Sequence, residues 1–480
     1  MFQTGHGECE KIEPNSVPCK KPTWRLMATP NANSFRCYLA RHRLALVIAL
    51  LVITLTAIWM SLDWIWSTID DPGFVLSFQD LDAKHGFLGA RALQAYQMFT
   101  SDLNWGLFRP SYWLYPSAIY GLPVSVVHGI RLLMLLAALA GPIIALRRMG
   151  RSTITLIMAG LIIVAAGSQL SNGLFFLSLQ ELSGAAFIGL GLMTKRPWLR
   201  IILWTFAAWF KSPFSWLLIA EAIVLWRSGR RGYAIASMSI GIGTLTTAAL
   251  FARHGSYTEK YGLDLWRILT NASKLVEVWT ALVLLMVLWW LAATKTTLNL
   301  NSQAFVFGFG FVGYTTQMLP WSVTGYYMGP IIFLFGVFLV SMLTNPVPMP
   351  WWRSALALSG PLIIGIYVFR QPIAQGLETN QALIDINECI VRESPVNAVI
   401  AGHMDYLTTT EGVVRIQQNA VLTDPSWTGS VELQNPENPD ALPPGVNTFV
   451  AIGNAQVPKG PGFESVCQQG SISVYRFSTP

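Results

Sequence analysis

The stretch LALVIALLVITLTAIWMSLDWIWSTIDDPGF, residues 44–74, decides how the chain is read, because an apolar run leads directly into an acidic pair. Residues 44–66 carry one charge, Asp63, over a length that matches the roughly 20 residues a helix needs to cross a bilayer. Within Thr68-Ile-Asp-Asp-Pro-Gly-Phe74, Asp70 and Asp71 follow that run, and Pro72-Gly73 is expected to turn the chain. Between residues 44 and 369 there are eleven acids, and six of them (Asp63, Asp70, Asp71, Asp80, Asp82 and Asp102) fall in one short interval. Acids this close to lipid are costly, so the interval is the first place to look for chemistry.

The surrounding composition agrees. With 52% hydrophobic and 12% charged residues, the chain cannot fold as a water-soluble core throughout. Repeated apolar runs predict a polytopic α-helical membrane protein of about 11 transmembrane helices. The net charge of +7 divides unevenly: residues 370–480 have eleven acids against five Lys and Arg, so the rest of the chain carries the whole basic surplus. That surplus lies in short loops and reports orientation, with no nucleic-acid partner implied. Lys20, Lys21, Arg25, Arg36, Arg41 and Arg43 precede the first span and place the N-terminal segment 1–43 in the cytoplasm. Residues 67–115 then form the first external loop.

Later spans alternate between basic clusters. Arg147, Arg148 and Arg151, then Lys195, Arg196 and Arg200, bracket a hairpin, and Ile201–Trp226 is expected to break at Lys211-Ser212-Pro213 so that Arg227, Arg230 and Arg231 return inside. Residues 44–369 thus form the transmembrane domain, and residues 370–480 a small external α/β domain. Its short β-rich runs are Asn397–Ala401, Gly412–Ile416, Thr448–Ile452 and Ser471–Tyr475. Its two cysteines, Cys389 and Cys467, lie on the oxidising side and are expected to pair.

Adjacent carboxylates repel, so at least one of Asp70 and Asp71 seeks a cation, a hydrogen bond or a proton, which suits a general base. Leu81–Phe99 reads as an amphipathic helix lying in the membrane interface, followed by the aromatic residues Trp105, Phe108, Tyr112, Trp113 and Tyr115. Asp80-Leu-Asp82 diverges by about 200° on a helix and is read there as a solvated face. No Cys or His spacing suits a metal, so no metal site or cofactor is assigned, although the Asp-x-Asp spelling leaves a divalent cation open.

This layout resembles the GT-C superfamily of integral-membrane glycosyltransferases. In that superfamily an acidic pair follows the first transmembrane helix, an interfacial helix comes next, and sugar is taken from a polyprenyl-phosphate carrier. Phe210-Lys-Ser-Pro-Phe214 is similar to the Lys-x-Pro turn of the protein-mannosyltransferase and aminoarabinose-transferase branch, whereas Asp-Asp in place of Asp-Glu looks like arabinosyltransferase-type members. The resemblance implies an enzyme of the cell envelope in a bacterial inner membrane, with a periplasmic C-terminal domain and a lipid, glycan or protein acceptor. It further implies Asp70 or Asp71 as base and Lys211 at the donor phosphate, joined by Arg91, Arg253 or Lys260. Glu181 either orients a sugar hydroxyl or is satisfied at the interface; Tyr326 and Tyr327 either line the cavity or belong to the aromatic belt. The alternative is a lipid or glycan transporter or flippase, which would also break helices and bury charges.

Overall fold

The computed structural model describes residues 47–66, 71–175, 179–253, 255, 264–275, 278–320, 327–346, 350–394, 397–404, 409–431, 445–452, 462–469 and 472–477. The chain forms two compact units, Met1–Ile58 and Trp59–Pro480. The described part of the first belongs to the apolar helix α1 (Val47–Met60), whose Val47, Ile48, Leu50 and Leu51 are exposed.

The second unit is a helical bundle that ends in a small sheet. Helix α2 (Asp71–Trp105) covers far more than the interfacial helix expected over 81–99, and it is kinked at Gly86, whose φ of 69° suits glycine. The expected turn at Pro72-Gly73 is instead the first turn of this helix. Proline lacks an N–H where the first turn of a helix does not need one. A short helix α3 (Pro110–Ile119) then leads into α4 (Val124–Arg148).

The bundle proper is built from α4, α5 (Thr153–Ala166), α6 (Leu179–Met193), α7 (Pro197–Phe210), α8 (Ser215–Arg227), α9 (Arg231–Ala252), α10 (Leu265–Lys274), α11 (Val278–Thr294), α12 (Ser302–Met318), α13 (Met328–Met342) and α14 (Trp351–Glu393). Buried Leu, Ile, Val, Phe and Ala side chains of these helices, α10 excepted, form one continuous core. Helices α4 and α6 pack backbone to backbone: a Cβ on Gly141 would lie 2.3 Å from the Gly189 carbonyl oxygen. Any larger residue at either position would force the two helices apart.

Among the described residues three helices, α4, α9 and α14, are long and apolar enough to cross a membrane. The number rises to five if two bent pairs each count as one span, the sharper being α5 with the 3-10 turn Ser168–Leu174 at 56°. About eleven full-length spans are therefore not what the helices display. Helices α6, α7, α8 and α13 have 15, 14, 13 and 15 residues, short of the roughly 20 that cross a bilayer unaided.

Helix α14 is 43 residues long, about 65 Å at the α-helical rise, roughly twice the thickness of a bilayer core. The domain boundary expected between residues 369 and 370 falls inside it, with no break. Its last turns carry Leu383, Ile386, Cys389 and Ile390 beneath a five-stranded sheet, together with Ile416 and Ala420 of helix α15 (Thr409–Thr423). The strands are β1 (Val399–Met404), β2 (Ser430–Val431), β3 (Thr448–Ile452), β4 (Phe463–Gln469) and β5 (Ile472–Phe477). Their order is β2-β1-β3-β5-β4, parallel across β2-β1-β3 and antiparallel from β3 through β5 to β4. The run Gly412–Ile416, expected as a strand, is helical: Ile416, Asn419 and Ala420 are buried at helical spacing, which outweighs its β-branched composition.

Cys389 on α14 and Cys467 on β4 form a disulfide, with Cα atoms 6.4 Å apart and a sequence separation of 78. A loop of that length corresponds to about 4 kcal/mol of chain entropy removed from the unfolded state. The Cys389→Ala, Cys467→Ala double variant is accordingly expected to unfold at lower denaturant concentration, by roughly 2–5 kcal/mol for the C-terminal domain. Chemical denaturation followed by Trp427 fluorescence would check this, and equal midpoints would refute it.

Candidate functional site

Lys211 sits where α7 stops. Its backbone is extended (φ −150°, ψ 114°), its N–H still bonds the Ala207 carbonyl at 3.1 Å, and the 3-10 turn Ser212–Phe214 follows. Pro213 supplies no N–H to continue the helix, which is why the expected break occurs here. The turn is held from α12. Gln317 donates to Ser212 Oγ at 3.3 Å and accepts from Trp216 Nε1 at 3.2 Å, while Phe214 packs on Tyr314 with ring centroids 4.9 Å apart.

From this break the Lys211 ammonium reaches Glu181, in the first turn of α6, and forms a buried ion pair with it. The carboxylate also lies at the positive end of the α6 dipole. Lys211 Nζ stands 4.2 Å from the centre of the Tyr327 ring, immediately before α13, a cation–π contact on its other side. A lysine pulled out of water needs both an anion and a polarisable face, and here it has them.

A second buried pair lies close by. Asp102, near the end of α2 and almost fully buried, accepts from Arg109 Nε at 3.0 Å, from Arg109 Nη2 and from Trp113 Nε1 at 2.8 Å. The Arg109 guanidinium stacks over Tyr112 at 4.5 Å. Burial alone would lower the Arg109 pKa, but the Asp102 carboxylate outweighs that and holds it above its ordinary value. The Glu181 charge acts on Arg109, and Arg109 acts on Lys211, so the two pairs form one electrostatic group of two acids and two bases.

The helices that carry this group all present the same end of the bundle: the starts of α6 and α13 and the ends of α7 and α12. Helix α4 begins there too, with His128 stacked on Trp64 (centroids 4.0 Å, 10° between planes) and a fully buried Arg131 one turn further on. The C-terminal end of α14 is also on this side, since Gly376 packs directly against Phe175. The opposite end carries Arg147, Arg148, Lys195, Arg196, Arg227 and Arg231.

Of the residues expected to form a site, the structure brings together Glu181, Lys211 and Tyr327. Asp70, Lys260 and Tyr326 lie outside the described residues, and Asp71 is described only as the first residue of α2. Arg91 is committed elsewhere: it bonds the Ser117 carbonyl and lies over Phe87 at 4.1 Å, tying α2 to α3. Arg253 is exposed at the end of α9. Lys211 is paired with Glu181 in this structure. Asp80 is exposed and pairs with Lys84 at 2.8 Å on the helix surface, and among the described residues no group of three His, Cys, Asp or Glu could hold a metal ion.

Sequence reasoning missed Arg109, Tyr314, Gln317 and Arg131. Arg109 was visible as the one basic residue amid the aromatic stretch Trp105–Tyr115, whereas nothing in the sequence links Tyr314 or Gln317 to Lys211. Glu221 pairs with Arg200 at 2.9 Å on the basic side, and Asn271 donates to the Leu319 carbonyl at 2.7 Å. In comparisons with known proteins, no family model, no curated sequence and no solved structure matches the chain.

Proposed function

We propose that this chain is an integral-membrane glycosyltransferase that moves a sugar from a polyprenyl-phosphate carrier to an acceptor hydroxyl on the external face, inverting the anomeric centre. The observation that carries this reading is the buried group Glu181–Lys211–Tyr327 with Asp102–Arg109, gathered at one end of the bundle. A polyprenyl monophosphate is a leaving group, so the reaction needs a base on the acceptor and cations near the departing phosphate. Asp70 or Asp71 is the base. Lys211 and Arg109 are the cations nearest to a docking phosphate, with Glu181 as the counter-ion a phosphate displaces or shares.

In this reading the shorter helices pair up to give about eleven crossings, the basic end faces the cytoplasm, and the C-terminal domain is periplasmic or extracellular in a bacterial plasma membrane. The exposed Phe87, Leu88 and Tyr96 of α2 support its lying at the lipid interface. The broken α7–α8 element with its buried lysine also favours a lipid or glycan flippase.

The experiment that separates the two presents a panel of radiolabelled polyprenyl-phosphate sugars to membranes containing the protein. Transfer of label to endogenous acceptor from one donor is the expected result. Absence of transfer from every donor, with a labelled carrier appearing across the bilayer of reconstituted vesicles, would replace the enzyme by the flippase.

A further inference from the structure

The segment between α1 and α2 is tied down by the C-terminal domain. Asn380, on α14, accepts from the Ile65 N–H at 3.2 Å and donates to the Asp63 carbonyl at 2.9 Å. Asn419, on α15 and almost fully buried, donates to the Trp66 carbonyl at 3.2 Å. Two amide side chains thus satisfy three main-chain groups within four consecutive residues. These residues belong to no helix or strand, so their backbone has no ladder of its own and must find such partners when buried.

The other side of the segment is pinned to the bundle. Trp64 stacks on His128 of α4 and donates from Nε1 to the Trp59 carbonyl at 2.7 Å, while Trp66 lies edge-on to Tyr120 with centroids 5.7 Å apart. The segment is therefore clasped between the bundle and the domain, and four residues after Trp66 comes Asp70, at most about 14 Å of chain away.

We infer that the C-terminal domain is a positioning element for the entry segment Asp63–Trp66, which leads in sequence to the acidic pair, with Asn380 and Asn419 fixing its backbone. The role of that pair rests on the proposed glycosyl transfer, but the clasp itself does not. The arrangement gives the domain a task other than binding carbohydrate, and makes Asn380 and Asn419 positioning residues without substrate contact.

Hydrogen–deuterium exchange on the full-length protein in detergent tests this. In the Asn380→Ala, Asn419→Ala variant, the Ile65 amide should exchange about tenfold faster or more, with those of α4 and α12 unchanged. Asn380→Asp retains the acceptor for Ile65 N–H, so that amide should stay protected. Transfer from the active donor should fall in kcat with KM unaltered, because the donor site is untouched. Unaltered exchange at Ile65 in the double variant, or faster exchange spread evenly over the bundle, would overturn the clasp even if the wild type transfers sugar. Wild-type inactivity with the local exchange pattern intact would instead remove the glycosyltransferase reading and leave the clasp standing.

Discussion

Lys211→Met is expected to lose about 3–5 kcal/mol of stability, whereas the Lys211→Met, Glu181→Gln double variant should recover most of that loss. Both side chains are largely out of water, at 11% and 3% exposure, so removing the lysine strands a buried carboxylate. Desolvation of a lone charge is the costly part of a buried pair, and neutralising Glu181 as well removes it. Tyr327 loses its cation but remains a packed ring. Thermal unfolding of the purified protein in detergent reads the cycle, and a double variant as unstable as Lys211→Met would show that the pair is not the source of the loss. Transfer measured on the same proteins separates two roles: stability restored without activity assigns Lys211 to the donor phosphate, and restoration of both makes the pair architectural.

The second large effect falls on the acidic pair. Asp70→Asn should reduce transfer by about 10²–10⁴-fold at unchanged expression, the usual weight of a general base. Asp71 is the first residue of α2, so Asp71→Asn is expected to affect the entry of that helix as well as the reaction. Asp70, preceding the helix, is the residue assigned to the proton. Single-turnover transfer with the active donor measures both, and activity indifferent to either substitution would withdraw the base from this segment.

Much of the helical architecture was legible because its signals are local. Apolar runs, basic clusters and the proline after Lys211 each depend on a few neighbouring residues, and the break at Lys211 appears where the sequence puts it. The disulfide was legible from two cysteines in one polar domain. Local signals failed where two of them competed. Pro72-Gly73 reads as a turn but starts a helix, and Gly412–Ile416 reads as a strand but lies in α15, because burial of Ile416, Asn419 and Ala420 on one face outweighs β-branched propensity.

The candidate site was only partly legible, and the reason is distance along the chain. Glu181 and Lys211 are 30 residues apart, Trp216 and Gln317 are 101 apart, and Asn419 reaches Trp66 across 353 residues. No periodicity or motif encodes such pairings. By itself, then, the sequence determined the apolar helical character, the basic end, the helix break at Lys211 and the acidic entry segment, all of which follow from the short-range cost of exposing or burying particular side chains. Only the tertiary structure decided that Lys211 is neutralised by Glu181, that Arg109 is bound to Asp102 and that the C-terminal domain clasps the segment before Asp70. A buried charge or main-chain amide takes whatever partner the packed fold brings within hydrogen-bonding distance.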